Sequence, residues 1–344
     1  MASWSLDFAA FSTTRAQAMK AAWYEQSGAS SVLTTGEIAD PVAGPGEVVV
    51  KVFAHGVNPT DWKRRVGQRG ALPFPKIIPG YDAAGIIESV GAGVDRARIG
   101  QRVWVWEAAH QKWNGAAAEK TVVSASRAMP LPPHMSDAEG AALGVPAMTA
   151  CHALMLAGDL RNQNVLVTGA AGAVCNLAVQ LAKSMGAHVI GVVRGSEDKE
   201  EDAKKAGADL VLNSDRHDLL KEVMAFTDGR GLRSMIDVDL GAHLDYSWRM
   251  MAQNGVIASF GTASNPKPAL DWAAFMYRNI HLCGVAIFEV PEDVKRQVAS
   301  YVQSCVEANA LWLRIDETYT LDEIARAHDR QQFGRPRGKV IVQP

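Results

Sequence analysis

The chain has 344 residues, 48% hydrophobic and 21% charged, with 35 Lys+Arg against 37 Asp+Glu and a formal net charge of -2. A chain of this length divides into roughly two domains, since single cores stop growing near ~250–300 residues. The charge balance and the lack of a basic block argue against nucleic acid or an anionic membrane as the main partner, and no apolar run approaches the ~18 residues of a bilayer span. The 4 cysteines (Cys151, Cys175, Cys283 and Cys305) form no CxxC pair, so neither a disulfide scaffold nor a zinc knuckle is expected. Reduced thiols in a cytoplasmic protein are the default reading.

Residues 1–18 lack the periodicity of the rest of the chain and contain Asp7 and a single basic residue, Arg15. They fit neither a secretory signal nor a transit peptide, and read as a flexible extension or as sequence ahead of a start at Met19. From Met19 onward the pattern is short strands between Gly and Pro turns. Glu47–Phe53, Ala83–Val90 and Arg102–Trp106 are rich in β-branched and aromatic residues, which predicts an antiparallel barrel or sandwich. Asp137–Ala157 changes texture to an Ala/Leu/Met-rich helix. Strands are then expected at Val165–Thr168, His188–Val193, Asp209–Leu212, Ser234–Val238, Val256–Phe260 and Ile280–Val285. Helices are expected at Val174–Met185 and at Lys199–Ala206, the latter stopped by Gly207. This βαβα order predicts an α/β fold with a doubly wound parallel sheet. Two further helices, Pro291–Ala308 and Leu321–Gln331, precede a closing strand at Lys339–Val342.

The strongest local feature is Thr168–Cys175, TGAAGAVC, between a strand and a helix. Unpaired amides and the helix dipole make such a turn a diphosphate site, here at Ala171, Gly172, Ala173 and Val174. Of the three G-x-G-x-x-G positions, Ala170, Gly172 and Cys175, the middle one alone keeps its glycine. A tight packing turn of small residues is the competing reading, and Cys175 must push the helix outward or be absorbed by Ala171. The next strand ends about twenty residues on, where dinucleotide folds read the adenosine ribose. An NAD enzyme normally places Asp or Glu there. This chain has Arg194-Gly195-Ser196 and then Lys199, donors suited to a 2′-phosphate. The cofactor predicted is NADPH, against the alternative that these are solvated charges.

Several segments together resemble the medium-chain dehydrogenase/reductase superfamily, in its zinc-independent NADPH:quinone oxidoreductase (zeta-crystallin-like) branch. They are Gly56–Gly67 (GVNPTDWKRRVG), Ile78–Gly85 (IPGYDAAG), Gly91–Val94 (GAGV), Gly100–Val103 (GQRV), Ala147–Leu154 (AMTACHAL), Val165–Lys183 and Gly338–Val342 (GKVIV). The resemblance covers Met19 to the C-terminus. It implies a GroES-like β domain from 19–143 and 287–344 around a Rossmann domain at 144–286, with cofactor and substrate in the cleft between. Alcohol dehydrogenases of this superfamily carry zinc on Cys, His and Cys or Asp. Here the first Cys position looks like Asn58 and the His position like Tyr81, a four-Cys lobe is absent, and the 9 histidines are scattered. No metal is expected.

Zinc-free members of this branch reduce quinones or the C=C bond of α,β-unsaturated carbonyls, which requires donors facing the carbonyl oxygen. Asn58, Lys63 and Tyr81 are the candidates. Each has a second reading: an Asx-type turn ahead of Pro59, a solvated lysine, and a core tyrosine with a bonded hydroxyl. Asp61 reads as structural, fixing Lys63 or Arg64 by an ion pair. His55 and His152 read as satisfied structural histidines. By resemblance Thr149 lies near the nicotinamide, with helix capping as its alternative. Gly261 follows the fifth strand at its C-terminal end, where ligands bind in open α/β sheets. Asn213 is placed to touch adenine, and Arg337 and Lys339 either reach the cofactor or stay exposed. Trp62, Phe74, Tyr81, Trp106 and Trp113 are pocket candidates for a flat apolar quinone, enone or carbonyl substrate.

Three alternatives stand beside quinone or enone reduction. One is carbonyl reduction, with Lys63 or Tyr81 as proton donor. Another is an enoyl-thioester reductase, for which Lys63, Arg64, Arg65 and Arg69 form a basic mouth. The third is a non-catalytic NADPH-binding interaction protein. The last Rossmann strand, Ile280–Val285, needs its edge covered, which predicts a homodimer.

Overall fold

The computed structural model describes Ala18–Pro344. The extension expected at residues 1–18 therefore lies, apart from Ala18, outside the described residues. The chain opens on a hairpin of β1 (Ala18–Trp23) and β2 (Thr34–Ala39). β3 (Glu47–Val57) follows, then α1 (Pro59–Arg65), β4 (Asp82–Val90), β5 (Arg102–Val105), β6 (Lys120–Ser124) and β7 (Ala128–Pro130). The long α2 (Asp137–Met155) leads into β8 (Asn164–Thr168), α3 (Ala173–Ser184), β9 (His188–Val193), α4 (Glu197–Lys205) and β10 (Leu210–Asn213). Next come α5 (Leu219–Phe226), β11 (Leu232–Asp237), α6 (Leu240–Ser247), β12 (Met251–Ser259), α7 (Trp272–Arg278) and β13 (His281–Gly284). The chain closes with α8 (Glu292–Glu307), β14 (Ile315–Thr320), α9 (Ile324–Phe333) and β15 (Lys339–Gln343).

β8 to β13 form a 6-stranded parallel sheet in the order β10-β9-β8-β11-β12-β13. The predicted α/β class, with its doubly wound sheet, is the architecture observed. Val165, Leu166 and Val167 of β8 are all buried, as a strand covered by helices on both faces requires. The direction of winding reverses between β8 and β11, and a crevice opens there beyond the strand ends. The other large sheet has 7 strands in the order β14-β15-β3-β4-β5-β7, with β6 also on β3. β15 runs antiparallel to β3, pairing Val340 with Val57 and Ile341 with Gly56. The C-terminal segment thus returns to the sheet that the N-terminal segment began.

Element ends shift by a few residues from expectation, and two helices change character. The predicted helix at Leu321–Gln331 is a 3₁₀ turn at Leu321–Glu323 followed by α9. α2 is two helical pieces joined at Gly144, whose backbone is non-helical (φ -10°, ψ -109°). The first piece is capped by Ser136 and Glu139, which bond each other's backbone amides at 3.2 and 2.8 Å. The second starts at Val145, whose amide donates to Asp82 Oδ1 at 2.7 Å. A Cβ at position 144 would lie 2.1 Å from that oxygen, so glycine is required for the approach. α2 packs on β3, β4 and β5 on one side and on α3 and α8 on the other, which explains why it is apolar all round.

His55 in β3 and His328 in α9 depart from the expectation for buried histidines. They are 1% and 0% exposed, and among the described residues none of their four ring nitrogens has a hydrogen-bond partner. His152 likewise has an unpartnered Nδ1. Burial, with the Lys339 and Arg65 charges nearby, pushes His55 and His328 from 6.5 down to about 3. The unfolded chain therefore binds protons on these groups below 6.5 while the folded chain stays neutral until about 3. Their contribution to stability falls as pH drops through that window. A His328→Gln variant is expected to lose less stability than the parent chain between about pH 7 and about pH 5, read by urea unfolding. Parallel losses in both proteins would assign the acid sensitivity to other groups.

Candidate active site

The end of β3, the start of β4 and the start of β15 meet at one buried charge cluster. Lys339 Nζ donates to Asn58 Oδ1 at 2.5 Å and to Asp82 Oδ2 at 2.7 Å. Asn58 Nδ2 donates to the same Asp82 oxygen at 2.8 Å, so the three side chains close a ring. Lys339, Asn58 and Asp82 are 2%, 3% and 0% exposed. A buried lysine needs this pairing, because an unpaired ammonium in the interior costs several kcal/mol. The Lys339 stem passes over Gly56, where a Cβ would lie 2.2 Å from Lys339 Cε. Asn58 is the N-cap of α1, in a capping box with Asp61, and its side chain also belongs to this cluster. Lys339, expected to reach the cofactor or to be exposed, has its ammonium committed here.

Asp61 stands beside the cluster and differs from expectation. It pairs with no cation. Its carboxylate accepts the amides of Asn58 at 2.8 Å and Gly80 at 2.9 Å. It thereby ties α1 to the segment that carries Tyr81. Burial raises its pKa to about 6, with Asn58 and Gly80 opposing. Tyr81 is 2% exposed. Its ring lies 4.7 Å from that of Phe288, and Phe288 in turn stacks on His110 at 5.5 Å. A small cavity next to Tyr81 is lined by Tyr24, Asp61, Arg64, Ile77, Ala109 and Lys112. Burial raises the Tyr81 pKa; the nearby Asp61 charge adds to this and Arg64 and Arg69 oppose it. The hydroxyl therefore stays protonated at neutral pH, as a hydrogen-bond donor must. Lys63 is half-buried on α1, 5.7 Å from the Trp62 ring.

The expected pocket aromatics are scattered. Trp106 is fully buried in the core and Trp113 is 43% exposed, and neither lines the cavity beside Tyr81. Arg65 also leaves the expected basic mouth. It is 0% exposed and donates to the Gly28 carbonyl and to Gln332. Two residues were missed. Asp82 carries a signal in hindsight, since a lone acid in a buried Ala/Gly segment demands a cation elsewhere. Phe288 carries none, because its 3₁₀ turn packs across from a distant part of the chain.

On the other sheet, Gly172 is the N-cap of α3 and no side chain caps that helix. Ala171 and Ala173 line a second cavity with Leu313, Gly338 and Lys339. Cys175 is buried below the turn, where burial raises its thiol pKa. Asn176 bonds the Ala170 carbonyl at 3.2 Å and the Asp202 carbonyl at 3.1 Å, which fixes the turn against α4. Past β9, Arg194 is well exposed and paired with Asp215 at 3.2 Å, and Ser196 is the N-cap of α4. Lys199 Nζ donates to the Arg194 carbonyl at 3.1 Å. Asn213 is buried and its amide holds the Gly195 carbonyl and Glu200 at 2.9 and 2.8 Å, so it shapes this loop from below. Arg337 is neither free nor exposed to solvent alone: it pairs with Asp198 at 2.7 Å and Asp202 at 2.8 Å on α4.

At the crevice, Thr168 Oγ1 donates to Asp237 Oδ1 at 2.7 Å and accepts the Val238 amide at 3.0 Å. Gly261 lies against the Val238 carbonyl beside it. Thr149 is buried inside the second piece of α2, which removes the capping alternative. Among the described residues no group of three or more His, Cys, Asp or Glu is placed to hold a metal. At Asn58 the neighbouring cation is the Lys339 ammonium and at Tyr81 it is Arg64, and the donors there do not fit a zinc site.

Removing the Lys339 charge tests the cluster. Lys339→Met leaves the Asp82 carboxylate buried without a cation and is expected to cost ~3–5 kcal/mol in chemical denaturation. Adding Asp82→Asn to it is expected to recover part of the loss. A cost below ~1 kcal/mol would place the pair with exposed ion pairs of little worth.

Comparison with known proteins agrees with this geometry. The alcohol dehydrogenase GroES-like domain model matches residues 44–133, and the zinc-binding dehydrogenase model matches residues 173–304. The quinone oxidoreductase of Rattus norvegicus is 28% identical over 311 residues, covering 89% of this chain and 91% of that protein. A chloroplastic quinone-oxidoreductase homolog of Spinacia oleracea is 30% identical over 328 residues, covering 92% of this chain and 95% of that protein. A mycobacterial protein solved as its NADPH complex superposes with a TM-score of 0.81 at 25% identity, covering 95% of this chain and 100% of that one. Sequence and architecture converge: the chain belongs to the medium-chain dehydrogenase/reductase superfamily, in its quinone oxidoreductase branch, and is a nicotinamide-dependent oxidoreductase.

Proposed function

We propose that the protein is a zinc-independent, NADPH-dependent reductase of quinones or of the C=C bond of α,β-unsaturated carbonyls. The observation that carries this reading is the Lys339 ammonium set between Asn58 and Asp82, close to where metal-dependent relatives need ligands. Without a Lewis acid, hydrogen-bond donors must meet the charge that develops on the carbonyl oxygen. Tyr81 supplies a protonated hydroxyl beside the cavity, with Arg64 next to it. Asn58 acts through Lys339 and Asp82 as a positioning residue, and Lys63 stands ready on α1 as a second cation. Tyr81 and Phe288, packed against each other at a tilt, offer an aromatic surface suited to a flat conjugated ring.

A bound reduced nicotinamide supplies the hydride. Ala171, Gly172, Ala173 and Val174 would hold its diphosphate at the uncapped start of α3. Thr149 and Gly261 would lie on the nicotinamide side. Arg194, Ser196 and Lys199 would take the 2′-phosphate. The exposed Arg194–Asp215 pair is cheap to exchange, since exposed ion pairs are worth ~0–1 kcal/mol. The free thiols and the absence of a membrane-length apolar helix among the described residues fit a cytoplasmic enzyme.

The test is NADPH oxidation with a quinone, an enone and a simple aldehyde, run beside NADH and with a chelator. Turnover with quinone or enone, preference for NADPH and indifference to chelator are expected. Arg194→Ala is expected to raise KM for NADPH about tenfold, as for loss of one charge-assisted bond, and to leave NADH nearly unaffected. Tyr81→Phe is expected to lower kcat roughly 10²-fold. Preference for NADH, or loss of activity with chelator, would overturn the corresponding part.

A homodimer is proposed on the open edge of β13. Leu282 on that strand is 38% exposed, and Trp272, Met276 and Tyr277 of the preceding α7 are 66%, 52% and 80% exposed. Light scattering on a sizing column is expected to give twice the chain mass, and Leu282→Lys a single chain. A monomeric parent protein would refute the edge pairing.

A further inference from the structure

The cations around Tyr81 lack carboxylate partners among the described residues, and Arg64 is within hydrogen-bond reach of Tyr81. Arg64, Arg69 and Lys63 have no carboxylate within 4.0 Å among the described residues. Arg64 lines the cavity beside Tyr81, and its Nε is buried with no hydrogen-bond partner among the described residues. Arg69 lies 5.9 Å over the Phe288 ring, on the aromatic that packs against Tyr81. The cavity's own carboxylate, Asp61, is committed to two backbone amides. Lys112, which also lines it, is matched by Glu47 at 2.6 Å. Near His110, Glu292 pairs with Arg127 at 2.9 Å, and Glu289, next to Phe288 in its 3₁₀ turn, is exposed to solvent. The wall of the site formed by α1 and the turn after it therefore carries uncompensated positive charge.

We propose that the substrate is anionic, bearing a carboxylate or phosphate besides its reducible carbonyl, and that Arg64 and Arg69 bind that anion. This inference rests on the reductase reading and narrows its substrate class. A neutral quinone settling on Phe288 and Tyr81 strips water from the two guanidinium groups and returns no charged acceptor. A carboxylate or phosphate returns short, forked hydrogen bonds to the same groups. Arginine is suited to this role because its planar donors match both anions and its face stacks on an aromatic ring. The buried, unpartnered Nε of Arg64 marks the inner end of the anion site, and Arg69 marks the mouth.

The experiment compares kcat/KM, with NADPH, for a neutral cyclic enone, the same enone bearing a carboxylate, and an enoyl-CoA thioester. The carboxylated enone is expected to exceed the neutral one about tenfold, and that ratio is expected to shrink as salt rises. Arg69→Gln and Arg64→Gln are each expected to drive the ratio toward one. A still larger preference for the CoA thioester would identify the anion as phosphate at the mouth. A ratio at or below one in the parent enzyme overturns the proposal while leaving the reductase reading intact. Should neither these three compounds nor a simple quinone turn over, the reductase reading fails, and binding of cyclohexanecarboxylate against cyclohexanemethanol to the NADPH-saturated protein decides the anion site by itself. Equal binding of the two probes overturns it; preference for the acid that Arg64→Gln abolishes supports it.

Discussion

The interaction on which the rest depends is the buried ammonium of Lys339 between Asn58 and Asp82. Lys339 begins β15, Asn58 directly follows β3 and Asp82 begins β4, so one cation joins the last strand to two strands near the start of the chain. Asp82 also receives the Val145 amide and so sets the break in α2. That break lets the second piece of α2, with Thr149, start in a new direction toward the nucleotide-binding sheet. A buried charge tolerates no loose geometry, because every lost bond leaves an unsolvated ion. The cluster thus holds the C-terminal return in register and aligns the sheet that carries Tyr81 with the helix that leads to the glycine turn.

A second set of charges works from the other side. Arg337 and Arg314 both reach Asp202 on α4, at 2.8 and 2.6 Å, and Arg337 adds Asp198. Asp316 fixes Arg330 through two bonds and accepts the Arg337 amide at 2.8 Å. The C-terminal segment therefore grips the helix whose N-cap is Ser196. Asn176 links that same helix to the glycine turn. The glycine turn and the Arg194–Ser196 loop are thereby held in a fixed relation to each other.

The carboxylates inside the cleft are engaged in holding structure: Asp61 on amides, Asp82 on a lysine and an amide, Asp237 on Thr168. The cations facing Tyr81 have no such duty. This asymmetry gives the site its positive character even though the chain as a whole is slightly acidic. Net charge excludes classes of partner; local charge selects a ligand.

Local pattern determined a good deal by itself. The β8–turn–α3 unit, the parallel sheet and the basic residues after β9 were legible because strand period, Gly turns and helix caps act over a few residues. The same holds for the family-like segments around Asn58 and Tyr81. Long-range electrostatics and packing decided the rest. Lys339 and Arg337 read as cofactor contacts or surface charges, yet folding delivers them to Asp82 and to Asp202, partners more than a hundred positions away. Arg65 and Arg64 are adjacent on α1, and one is fully buried on carbonyls while the other faces the cavity. Sequence determines which groups exist and which local shapes they favour. Which of them lose their water, and which partner then satisfies them, is decided only when distant segments pack, because desolvation is a property of the assembled interior and not of the chain.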